Sequence, residues 1–250
     1  MSSVDLAGRV ALVTGATSGI GAATAALFAD RGAHVLVAGR DAVRGENVVA
    51  DIRSRGGKAD FVAADLRSAA RVRQLAREAT ELGGGRVDIL VNNAGIFPFG
   101  PTDATAEDDV DTVYDVNVKA PFYLVAELAP GMAERGNGAI VNVTTQVAYY
   151  GAAGMALYGS SKAALHQLSQ AWVAEYGPRG VRVNTVSPGP TRTRGTAAMG
   201  DALEALAAEA PAGRPAEAQE IAEAIAYLVG DSASFVQGAL LAVDGGRTAV

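Results

Sequence analysis

The chain of 250 residues contains no cysteine, which removes disulfides, thiolate nucleophiles and sulfur-ligated metals from consideration. It has only two histidines, His34 and His166, and neither belongs to a metal-spaced cluster. Both are read as satisfied structural histidines, and no metal is expected. There is no dense run of basic residues: 21 Lys+Arg stand against 27 Asp+Glu, for a net charge of −6. Without a stripe that tracks phosphates, nucleic acid is not an expected partner. No apolar run reaches the roughly 18 residues of a membrane span. The stretch MSSVDLAGRV also lacks the charged start and long apolar middle of a signal peptide. These absences lead to the expectation of a soluble, cytoplasmic protein with no membrane partner.

Short β-branched runs recur from end to end: RVALVTG, HVLVAGR, ADFVAADL, VDILVNNAG, GAIVNVTT, VRVNTVSPG and ALLAVDGG. Longer helical patterns separate them. Val72, Leu75, Ala76 and Ala79, for instance, fall at i, i+3, i+4 and i+7 and make one apolar helix face. Strand alternating with helix argues for parallel strands joined by right-handed crossovers, with helices on both faces. The expected fold is a single doubly wound α/β domain with a seven-stranded, mainly parallel sheet. No linker divides it. The one irregular stretch, residues 188–216, places Pro and Gly around a short Ala-rich helical segment and reads as a substrate lid.

The first strand runs into TGATSGIG, residues 14–21, and then into a helical pattern. Gly15, Gly19 and Gly21 lie where the chain turns from strand to helix. Their missing Cβ atoms would let a pyrophosphate approach free helix N–H groups. A ligand-free structural turn is the alternative at this point. In the same way, Tyr158 and Lys162 are one helical turn apart, a spacing that brings two side chains onto one face. Alone, the pair is either an acid/base couple or an ordinary amphipathic turn.

Taken in order, these motifs resemble the short-chain dehydrogenase/reductase family. The Thr-Gly turn, NNAG at 92–95, Asn117, the Y-x-x-x-K of Tyr158 and Lys162, SPG at 187–189 and the terminal VDGG at 243–246 match that family's elements along nearly the whole chain. The resemblance implies a Rossmann-type fold and a nicotinamide dinucleotide cofactor. It carries the cofactor site onto Gly15, Thr17, Ser18, Gly19, Ile20 and Gly21, onto Asn93, Ala94 and Gly95, and onto Tyr158 and Lys162. Asp65 is implied to meet the adenine amino group with Leu66 beside the ring. Pro188 and Gly189 would seat the nicotinamide, with Thr191 at the carboxamide and Thr193 near the carboxamide or a phosphate.

The second strand ends in Ala38, Gly39 and Arg40. The position that carries an acidic residue in NAD-specific members is Gly39, and the guanidinium that follows suits a 2′-phosphate. NADP(H) is therefore favoured, with NAD(H) as the alternative. Asp41 next door weakens the positive potential.

The resemblance makes Tyr158 the general acid/base of a carbonyl/secondary-alcohol interconversion. Lys162 is expected to lower the phenol's pKa by charge proximity, and Asn117 to hold a relay water. The family's serine, thirteen residues before the tyrosine, is here Thr145, whose hydroxyl donates the same hydrogen bond but whose methyl takes space. Thr144 should point to the opposite face. Phe97, Phe99, Tyr149 and Tyr150 lie at the carboxyl ends of strands, where open α/β sheets bind ligands, and are either pocket walls or core. Arg192 and Arg194 are surface arginines or contacts for an anionic substrate or acidic carrier.

The implied substrate is a small carbonyl or alcohol, carrier-bound in one version, and a 3-oxoacyl thioester is one candidate. The alternatives are an NAD(H)-dependent alcohol, polyol or steroid dehydrogenase, or a non-catalytic dinucleotide-binding regulator. A methyltransferase would favour a different glycine spacing and an acid after the second strand. By resemblance the helices near 103–136 and 154–177, with Ala126, Ala129, Ala163, Ala164, Leu165 and Leu168, form the interface of a homotetramer, a dimer being the runner-up.

Overall fold

The computed structural model describes residues 5–250. Its strands are β1 (Val10–Thr14), β2 (His34–Gly39), β3 (Lys58–Ala63), β4 (Ile89–Asn92), β5 (Gly138–Val143), β6 (Val181–Pro188), β7 (Thr191–Arg192), β8 (Ala216–Glu217) and β9 (Leu240–Val243). Its α-helices are α1 (Gly19–Asp30), α2 (Ala42–Ser54), α3 (Ala69–Leu82), α4 (Glu107–Tyr114), α5 (Ala120–Glu134), α6 (Ala156–Tyr176), α7 (Asp201–Ala207) and α8 (Ala218–Val229).

Seven strands form one sheet in the order β3-β2-β1-β4-β5-β6-β9, every neighbour parallel. Each of the seven β-branched runs supplies one of these strands. Alternation along a strand sends side chains to opposite faces, and β1 follows it: Ala11 and Val13 join the core under α1, α2 and α8, while Val10 and Leu12 join the core under α3, α5 and α6. The helix face forecast around Val72 is fully buried in α3. Chain order reverses between β1 and β4, opening a crevice at their carboxyl ends. The glycine turn and NNAG are the two loops that border it.

The helix expected near 103–136 is broken into pieces: a short turn at Thr102–Ala104, then α4, a π-helical turn at Asp115–Lys119, and α5. One extra residue in that turn carries Asn117 inward, where it is fully buried. Ala129 and Leu165, named for an intersubunit role, face this chain's own core instead. Exposed apolar side chains on α4 and α5 are Val110 and Phe122.

Both histidines are satisfied: His34 Nε2 lies 2.6 Å from Asp60, and His166 meets Thr185 and Gln170. Among the described residues no group of three or more His, Cys, Asp or Glu side chains is placed to hold a metal, and no helix is long and apolar enough to cross a membrane.

Arg182 on β6 closes the carboxyl end of α8 by donating to the carbonyls of Leu228, Val229, Gly230 and Ala233. Leu228 and Val229 are in the last turn of α8, where carbonyls lack intrahelical donors, whereas Gly230 and Ala233 also accept from the backbone N–H groups of Ala233 and Val236. Arg182→Ala is expected to lower the unfolding free energy by about 1.5–3 kcal/mol, the range for hydrogen bonds to a charged group. Urea denaturation checks this; an unchanged midpoint would contradict the capping role.

Candidate active site

The turn after β1 is packed so tightly that only glycine fits it. A side-chain carbon added at Gly21 would fall 2.4 Å from the Gly15 carbonyl oxygen, and one at Gly15 would fall 2.9 Å from the Ala94 Cα. Thr14 stitches the turn to NNAG, its hydroxyl accepting from the N–H groups of Asn93 and Ala94 at 3.1 Å each. Asn93 Nδ2 donates back to the Thr14 carbonyl at 2.8 Å. Ser18 stands at the N-cap of α1 but makes no side-chain cap, and no acid lies in the first turn. A twelve-residue helix thus presents uncapped N–H groups at the crevice, an arrangement suited to a phosphate. On this geometry the residues fit a dinucleotide, whose pyrophosphate would lie on Gly19, Ile20 and Gly21. Thr193 reaches over from beyond β6, its Cβ 3.1 Å from where Gly19 would carry a side chain.

At the adenosine end, both nearby acids are engaged. Asp41 accepts from the Arg44 N–H at 2.9 Å and pairs with its guanidinium at 2.7 Å. Asp65 is held by Arg67, whose hydrogen bonds keep its carboxyl down at about 2. Arg40 is exposed and has no ion-pair partner among the described residues. Leu66 packs partly against the core beside it.

Asn117, Thr145, Tyr158 and Lys162 converge at the carboxyl ends of β4 and β5. Asn117 clamps the strand end by accepting from Ile96 N–H and donating to Ile96 O, both at 2.9 Å, and donates to Ser161 at 3.0 Å. Its side-chain amide is thereby fixed between the NNAG strand end and α6. Lys162 is 2% exposed, and its Nζ donates to the Val143 carbonyl at 2.8 Å. Gly95 leaves it room, since an added carbon there would lie 3.1 Å from Nζ. Burial pushes the ammonium down to about 8.

In the free protein the Tyr158 phenol lies above its ordinary value, against the lowering expected from Lys162. Burial pushes the phenol up to about 12, and the Thr145 hydroxyl alone pulls the other way. The physical reason is that the ammonium is directed at a main-chain carbonyl, while desolvation penalises the phenolate. Thr144 does turn away, donating to the Val186 carbonyl at 3.2 Å.

The aromatic residues divide. Phe97 is half-exposed, its ring centroid 6.1 Å from that of Tyr158, and its edge reaches Gly195. It stands at the mouth. Tyr149 packs on His166, and Arg247 lies over Tyr150. Phe99 is mostly exposed. Beyond β6, Gly189 N–H donates to Val243 O, and Thr191 pairs with Ala216 in the two-stranded β7–β8 ribbon. Arg192 is tied to Glu204 and Glu217, so of the two surface arginines only Arg194 lacks an ion-pair partner among the described residues. Pro188 is buried at the end of β6.

Three participants escaped the sequence reading. Thr14 was visible as the first letter of the glycine motif, and Ser161 as the residue before the lysine. The Val143 carbonyl carries no sequence signal, because any residue would supply it.

A family model described as enoyl-(acyl carrier protein) reductase matches residues 15–248. The chain is 35% identical to the 3-oxoacyl-[acyl-carrier-protein] reductase of Thermotoga maritima, over 96% of this chain and 98% of that one. A solved short chain dehydrogenase/reductase family protein superposes with a TM-score of 0.91 at 48% identity, covering 98% of this chain and 100% of the other. A protein of Beutenbergia cavernae assigned as an NAD(P) dependent gluconate 5-dehydrogenase, solved with NADP at low occupancy, gives 0.93 at 38% identity over 98% and 99% of the two chains.

The buried ammonium has a consequence for stability. Because the folded-state pKa of Lys162 is depressed from 10.5 to about 8, the unfolded chain binds more protons between those values. The destabilisation is complete below about pH 8 and is relieved as pH rises towards 10.5. Wild type should therefore gain stability relative to Lys162→Met across that window, measured by denaturant titration at several pH values. Parallel pH profiles would sink the assignment.

Proposed function

The chain belongs to the short-chain dehydrogenase/reductase family, and on that footing we propose that it is an NADP(H)-dependent oxidoreductase interconverting a carbonyl and a secondary alcohol, with Tyr158 as general acid/base. The observation that carries this reading is the buried Lys162 ammonium, one helical turn from Tyr158 and held on the Val143 carbonyl at the end of β5, with Asn117 tied to the same helix through Ser161.

A bound nicotinamide supplies the hydride donor or acceptor and, when oxidised, a positive charge. Thr145 donates a hydrogen bond to the substrate oxygen and holds it near the phenol. Tyr158 gives its proton to that oxygen as reduction proceeds and takes it back in the other direction. Burial alone would leave the phenol a weak acid at neutral pH, and positive charge from Lys162 and an oxidised nicotinamide would bring it back towards the range in which it exchanges its proton with the substrate oxygen. Lys162 keeps positive charge close by, and Asn117 fixes the NNAG strand end against α6 through Ser161.

NADP(H) is favoured over NAD(H) because position 39 carries no carboxylate, and Asp41 and Asp65 are neutralised by Arg44 and Arg67, leaving Arg40 for a 2′-phosphate. Phe97 and the segment 188–216 make a mouth and lid for a small substrate. A 3-oxoacyl thioester is one candidate, supported by the relative from Thermotoga maritima; a sugar acid is another, supported by the protein from Beutenbergia cavernae. Exposed Phe122 and Val110 on α4 and α5 support a homotetramer.

Nucleotide oxidation across a panel of 3-oxoacyl thioesters, keto sugars and simple ketones tests the reading; absence of turnover on every carbonyl would contradict it. Thr145→Ser is expected to retain activity, whereas Thr145→Ala loses on the order of 10²–10³ in kcat, as for one preorganised donor. Wild-type turnover by the alanine variant would remove Thr145 from the mechanism. Tyr158→Phe should bind nucleotide yet fail in catalysis, and persistent turnover would identify another acid.

A further inference from the structure

We propose that Thr17 is a specificity-determining residue: its methyl group fills the space that an acidic side chain at position 39 would need. The inference rests on the NADP(H) reading above and adds a steric cause to it. The turn after β1 is bound to the end of β2 by the Ala16 N–H, which donates to the Ala38 carbonyl at 3.0 Å. This brings Thr17 directly over Gly39. A carbon added at Gly39 would lie 2.5 Å from Thr17 Cγ2, but 3.3 Å from its Oγ1 and 3.5 Å from its Cβ. The obstacle is thus one methyl. Since β-branching restricts χ1, clearing that methyl requires Thr17 to leave its rotamer.

The consequence is a lock between two positions. A carboxylate that would grip the ribose hydroxyls of NAD has no room at position 39 while threonine stands at 17. Neither neighbouring acid replaces it. Both oxygens of Asp41 are engaged, one by the Arg44 N–H and one by its guanidinium, and Asp65 is held by Arg67. The charge facing the ribose is that of Arg40. Specificity for the phosphorylated cofactor then has an attractive part, Arg40, and a part that rejects the alternative residue, Thr17.

The test is a double-mutant cycle on Gly39→Asp and Thr17→Ser, read as Kd for NADP⁺ and NAD⁺ by calorimetry, with Thr17→Ser as its own reference. Gly39→Asp alone is expected to weaken NADP⁺ without gaining NAD⁺. In the Thr17→Ser background the same substitution should bind NAD⁺ at least about tenfold more tightly than Gly39→Asp alone, a coupling expected of side chains in contact. Should Gly39→Asp fail to fold, Gly39→Ala supplies the readout through its Tm, which Thr17→Ser should restore. Equal NAD⁺ affinity of Gly39→Asp with threonine or serine at 17, or a Gly39→Ala Tm that serine leaves unrestored, overturns the proposal. A wild-type preference for NAD⁺ contradicts the NADP(H) reading alone, because the coupling between 17 and 39 is measured independently of it.

Discussion

Lys162 is 2% exposed, and its ammonium has one hydrogen-bond partner among the described residues, the Val143 carbonyl at 2.8 Å. Withdrawing such a charge from water costs several kcal/mol, and one neutral acceptor offsets only part of it. The elements around it are arranged to make that burial feasible. Gly95 leaves a gap, the π-helical turn brings Asn117 inward, and Ser161 joins Asn117 to the helix that carries the lysine. Between β4, β5 and α6 a second buried chain runs from Asn92 through Asn142 to Ser169, with links of 2.8 Å. Lysine, tyrosine and threonine are thereby placed by the sheet and by one long helix, which are rigid supports for a site.

The same burial raises the phenol and lowers the ammonium. In the proposed mechanism, alcohol oxidation would draw on added positive charge close to the phenol. The glycine turn and NNAG both end at the crevice between β1 and β4, where a dinucleotide would lie in the proposed mechanism. Cofactor binding and proton chemistry are thus coupled through one small volume. At the far end of the same crevice, Thr17 touches Gly39 and the two local acids are paired with arginines.

The sheet was readable because each β-branched run obeyed a local rule and the alternation with helices left one plausible topology. The Val72 face was equally local, as its four residues turned out buried together. What escaped depends on packing at a distance. The break at Asp115–Lys119 lies just before Pro121, whose missing N–H interrupts the helical ladder, but the inward placement of Asn117 follows from Ile96 and Ser161 at a distance. The sign of the Tyr158 shift could not be read from a Y-x-x-x-K spacing, because spacing gives proximity and not the direction in which an ammonium points. Thr193 over Gly19 and Thr17 over Gly39 likewise join residues whose contact follows only from the folded turn.

The central claim is that burial keeps Tyr158 protonated until positive charge from the oxidised cofactor joins that of Lys162. Ultraviolet difference titration of wild type against Tyr158→Phe, with and without NADP⁺, measures this directly. The free protein is expected to ionise this phenol above the ordinary value near ~10, and NADP⁺ to move the ionisation to lower pH. A phenol titrating at or below the ordinary value in the free protein, or a curve that NADP⁺ leaves in place, would contradict it.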